Sequence, residues 1–183
     1  MNDAGTALSA WQSFYVIVGS SGGALIGLQF VVITLIAEKR NLATAGGLSA
    51  FGTPTVVHFA GAVILSAIMS APWGSLGSLS IVLGACGVGG LVYCGIVIRR
   101  ARRQTDYQPV WQDWLWYTGL PCGCHAALTV TAAVLRSRPR PTLFVIAAVT
   151  LTLLIIGIHN AWDTITHIVL TAGERGERGE RAE

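Results

Sequence analysis

The sequence predicts an all-α protein, a polytopic bundle of about five transmembrane helices with its N-terminus outside and its C-terminus inside. Three observations lead there. Of 183 residues, 52% are hydrophobic and 11% are charged, against about 25% charged in ordinary soluble domains. The charge is gathered in blocks, with no Asp, Glu, Lys or Arg from Ala4 to Ala37 and none from Asn41 to Ile98. Between the blocks lie apolar runs of the roughly 20 residues that a helix needs to cross a hydrocarbon layer of about 30 Å. Residues 1–172 form one expected helical domain.

Span one covers about 14–37 and stops at Glu38, Lys39 and Arg40. The preceding MNDAGTALSAW lacks the basic region of a secretory signal, and the apolar run is longer than a signal core, so the segment reads as a retained span. Span two, 54–71, follows Thr53 as an N-cap with Pro54 at the first helical position, and ends before Pro72-Trp73-Gly74-Ser75. Span three, 79–98, ends at the basic cluster of Arg99, Arg100, Arg102 and Arg103. The polar stretch from Gln104 to Asp113 is expected at the interface. Span four, 114–135, holds Pro121, which predicts a kink that neighbouring helices can accommodate. Span five covers 141–170, and the Gly-Glu-Arg repeats within 173–183 predict a disordered polar tail.

Orientation follows from the basic residues, which are retained on the cytoplasmic side. With the N-terminus outside, nine of the twelve fall inside; Arg136, Arg138 and Arg140 are the exceptions. Trp11, Trp73, Trp111, Trp114 and Trp116 stand near span ends, where an aromatic belt places them. A net charge of +3, scattered along the chain, excludes a nucleic-acid footprint. The four cysteines, Cys86, Cys94, Cys122 and Cys124, all lie in apolar stretches and suggest no disulfide framework.

The most informative segment is HNAWDTITH, from His159 to His167. His159, Asp163 and His167 recur every four residues and share one helix face. Asp163 is the only carboxylate within the five apolar runs, and ionisable groups at such depth tend to face partners or water. Counted at 1.5 Å per residue, His58 lies about 6 Å in from Pro54, while Asp163 and His159 lie about 10 and 16 Å in from Leu170. This arithmetic allows His58, His159, Asp163 and His167 to meet as a metal, ion or proton site. A transition metal suits such nitrogen and oxygen donors, haem takes paired histidines, and a proton path exploits imidazole titration. Equally, Pro141 to Trp162 already suffices to cross, which would leave Asp163 among the headgroups.

Gly19, Gly23 and Gly27 recur every four residues in span one, with Gln29 nearby at a depth that reaches the His and Asp group. Span three repeats the theme with Ser80, Gly84, Gly87 and Gly90. Small residues at this spacing let helices approach closely, either within the chain or at a subunit interface, and two such faces favour a homo-oligomer. His125 reads as a helix-to-helix hydrogen-bond donor, worth about 0.6 kcal/mol. Cys122-Gly123-Cys124-His125 resembles a ligand motif, but positions two apart diverge on a helix.

The run FYVIVGSSGGALIGLQFV, Phe14 to Val31, resembles the first span of many small bacterial multi-pass membrane proteins, with an aromatic start, a glycine and alanine middle and a Gly-Leu-x-Phe-Val end. It covers about a tenth of the chain and implies a bacterial inner-membrane setting, with no activity attached. The His159 face is loosely similar to the His and Asp helices of membrane zinc hydrolases such as alkaline ceramidases and adiponectin receptors, which have more histidines and a different helix count. The expected function is thus a homo-oligomeric channel or transport-type protein in a lipid bilayer, acting on ions or protons. The alternatives are a metal- or haem-binding membrane enzyme or electron carrier, and a non-catalytic regulator or scaffold.

Overall fold

The computed structural model describes residues 3–38, 45–101 and 111–180, with side chains described at 6–34, 55–100, 111 and 114–166. Among the described residues every element is helical. A short α1 (Asp3–Ser9) leads into α2 (Gln12–Glu38), α3 (Ala45–Ser70) and α4 (Leu76–Ala101). A one-turn α5 (Trp111–Trp114) then passes through a π-turn, Leu115–Gly119, into α6 (Leu120–Val134), and α7 (Pro139–Glu180) closes the chain. Among the described residues three helices are long and apolar enough to cross a membrane, Gln12–Thr34, Leu76–Arg100 and Pro139–Thr166, and the part of α3 from Thr55 to Ser70 forms a further apolar stretch.

Two boundaries differ from expectation. The backbone of α3 is helical from Ala45, so Pro54 lies inside the helix rather than at its first position. Proline is tolerated there because neighbouring groups in a packed helix can satisfy the carbonyl it leaves free. At the other end, α7 stays helical through Glu180, into the Gly-Glu-Arg repeat.

The expected kink at Pro121 takes the form of the π-turn. Proline carries no N–H for the Tyr117 carbonyl, and the Leu120 N–H reaches back five residues to the Leu115 carbonyl. One residue is thereby inserted into the turn, and the consecutive side chains of Trp116 and Tyr117 both reach α7.

α7 is the central helix of the packing. On one side α3 packs on α7 and α2 packs on α3; on the other α6 packs on α7 and α4 packs on α6. Burial follows this order: 56% of the α7 window is buried, against 17% for each of α2 and α4. The core runs through Phe59, Ala62, Leu65, Leu79, Leu83, Leu128, Leu135, Ile146, Leu153 and Ile156.

Glycine sets how closely neighbours approach. A β-carbon at Gly19 would stand 2.9 Å from Ser66 Cβ, and one at Gly22 would stand 2.9 Å from Val63. One at Gly157 would stand 2.5 Å from the Phe59 ring. On α4, Gly84 faces Ala132, Gly87 faces Thr129 and Gly90 faces His125, while the Ser80 hydroxyl donates to the Ala132 carbonyl at 2.6 Å. The whole small-residue face of span three is therefore used against α6 of the same chain. In α2 it is Gly19 and Gly22 that meet α3; among the described residues a β-carbon at Gly23 or Gly27 would meet nothing within 4 Å.

Candidate functional site: a buried polar layer

The helix registers bring polar residues of three helices to one level. Gly19 opposite Ser66 and Gly22 opposite Val63 place Gln29 level with Val56 on α3. Trp11 against Phe144, and Gly22 against Leu154, place Gln29 level with Ala161 and Trp162 on α7. Phe59 against Gly157 brings His58 to the same stretch of α7. Gln29, Thr55, His58 and Asn160 are all buried, with Thr55 and Asn160 at 0% exposure.

The hydrogen-bonding state of this layer is unusual. Among the described residues, His58 Nε2, His125 Nδ1, His159 Nδ1 and both amide atoms of Asn160 are buried without a hydrogen-bond partner from the protein. A buried polar group left without any partner costs about 1–3 kcal/mol, so these atoms are placed to take a partner that is not a side chain of the layer. His125, on α6, is within electrostatic reach of His58 on α3. Its ring lies on the Gly90 backbone. The helix-to-helix hydrogen bond expected of His125 is not made at Nδ1.

His159 and Asp163 point elsewhere, as helix phase requires. Asn160 continues the buried line of Leu153, Ile156 and Gly157. His159 and Asp163 project toward the π-turn instead. The His159 ring stacks on Trp116, with centroids 3.7 Å apart and planes within 4°. Asp163 is exposed and accepts from the Tyr117 hydroxyl at 3.4 Å, long for an O–H donor. Asp163 thus has a partner, Tyr117, that residue type alone did not suggest.

Of the expected set, His58 and Gln29 lie in the buried layer, His159 borders it, and Asp163 lies outside it. The side chain of His167 is outside the described residues. Among the described residues no group of three or more His, Cys, Asp or Glu converges as a metal centre would need. Asn160, Trp116 and Tyr117 are the members that residue type alone did not single out. Pro121 was the visible signal for the turn that aims the two aromatics. No protein-family model, curated protein or solved structure matches the chain.

Proposed function

We propose that this chain is a bacterial inner-membrane protein that crosses the bilayer five times, N-terminus outside and C-terminus inside, and conducts protons or a small cation through the buried polar layer. The observation that carries this reading is Asn160, at 0% exposure with neither amide atom partnered among the described residues. Donors and acceptors held open in a low-dielectric interior are suited to a partner that comes and goes, such as water, a proton or a cation.

Five crossings are supported by the packing of α3 and α6 beside the three long apolar helices. α3 runs alongside α2 and α7, and α6 alongside α4 and α7, so both occupy the same slab as the three long apolar helices. The slab has a natural thickness. From Phe144, which meets Trp11, to the exposed Trp162 is about 27 Å at 1.5 Å per residue, close to the hydrocarbon layer of about 30 Å. Asp163 then stands at the rim with Tyr117, and Asn160 lies inside it, so the carboxylate is placed to gather cations at the mouth of the layer. The basic-residue count supports this end as cytoplasmic. The open face of Gly23 and Gly27 supports a homo-oligomer.

Flux through liposomes reconstituted with purified protein tests the reading. Wild-type protein should dissipate an imposed proton or potassium gradient faster than empty liposomes. Asn160→Leu should return the rate to that of empty vesicles while helical content is kept. An unchanged rate in that variant would remove the layer from consideration as a pathway.

A further inference from the structure

A second group of chemically active side chains lies between α4 and α6, on helices the polar layer hardly uses. The sequence separates Cys94 from Cys122, and the glycine contacts bring them together. Gly87 against Thr129 and Gly90 against His125 define an antiparallel register. One turn beyond Gly90 stands Cys94, and one turn before His125 stands Cys122, so the two thiols meet across the interface. In this register the two side chains are neighbours, with Cys124 beside them on α6. Cys94 is buried at 4% exposure, Cys122 is half-buried, and neither is in a disulfide.

A disulfide needs Cα atoms roughly 4.4–6.8 Å apart. Helix backbones come that near only where side chains are removed between them, which is what Gly87 and Gly90 do on α4. We propose that Cys94 and Cys122 form a reversible dithiol–disulfide site oxidised by a lipid-soluble quinone. Both thiols give up their protons and one electron each, the sulfur–sulfur bond forms, and the quinone takes up two electrons and two protons to become the quinol. The pair lies in an apolar helix interface, so an oxidant that partitions into lipid reaches it where a charged, water-soluble one does not. Cys122, the more accessible thiol, is the point of attack, and Cys94 resolves the adduct. The resulting bond staples α4 to α6 one turn from the His125 ring. This proposal is independent of any conduction by the polar layer.

The test uses full-length protein in liposomes with catalase present, treated with a short-chain ubiquinone analogue. Expected are loss of two of the four titratable thiols, one quinol per protein, and a Cys94–Cys122 linked peptide on mapping. Cys94→Ser and Cys122→Ser should each retain all their remaining thiols. Should either serine variant fail to fold, the wild-type peptide map decides alone. Four persisting thiols, or a link through Cys86, through Cys122 and Cys124, or between two copies, would overturn the proposal. So would linkage by copper–phenanthroline with none by the quinone.

Discussion

The imidazole of His125 lies against the backbone of Gly90, so near that any β-carbon at position 90 would overlap the ring. This contact, together with Gly87 on Thr129, sets the separation of α4 and α6. It converts the absence of a side chain on one helix into the position of a histidine on another.

Gly90→Ala should destabilise the protein by about 1–3 kcal/mol or more, the range for forcing extra volume into a packed interface. His125→Ala in the same background should recover most of the loss, because the two residues share one space and their effects do not add. Thermal unfolding of the four proteins of this cycle, followed by circular dichroism in detergent, supplies the measurement. Simple additivity would show that the ring does not rest on Gly90.

Gly157→Ala should behave like Gly90→Ala, since its β-carbon meets the Phe59 ring. Gly23→Ala and Gly27→Ala should not: among the described residues an added β-carbon meets nothing within 4 Å at either, and alanine favours the helix by about 0.5–1 kcal/mol over glycine. Melting temperature should therefore fall in the first variant and hold or rise in the other two. Gly23→Leu would in addition lower the oligomer mass in light scattering if that face joins two copies.

Asn160→Leu should raise stability by about 1 kcal/mol or more, because it removes two orphaned polar atoms and replaces them with a side chain of similar size. The same change should abolish flux. Stability and activity moving in opposite directions is the signature of a group retained for a task rather than for the fold. A destabilised variant would mean that Asn160 already has partners.

Trp116→Ala should cost about 0.5–1.5 kcal/mol from the lost ring stack, beyond the lost apolar burial, whereas Trp116→Phe should recover part of it. Tyr117→Phe should change stability little, since its 3.4 Å contact to the exposed Asp163 is long. Chemical denaturation monitored by far-ultraviolet dichroism would separate these cases; a large effect of Tyr117→Phe would contradict the weak contact.

The helical class was legible because charge placement and run length report directly on a bilayer-sized slab. So were the close approach at Gly84, Gly87 and Gly90 and the disturbance at Pro121. What stayed illegible was helix phase. In a soluble helix the polar face marks the outside, but α7 from Leu143 to Ile158 has apolar residues on every side, so composition there does not show which side meets α3. Asp163 drew attention through its charge, yet the phase fixed by Leu153 and Gly157 turns it outward and Asn160 inward. The same ambiguity hides why Gly22 packs while Gly23 does not. Cys94 and Cys122 meet only through a register that needs α4 and α6 to be docked, which spacing along the chain does not reveal.

Before Pro139 the described helices form two pairs, α2 with α3 and α4 with α6, and each pair rests on α7. Removing α7 would leave the pairs without the surface that joins them, and would take Asn160 out of the polar layer altogether.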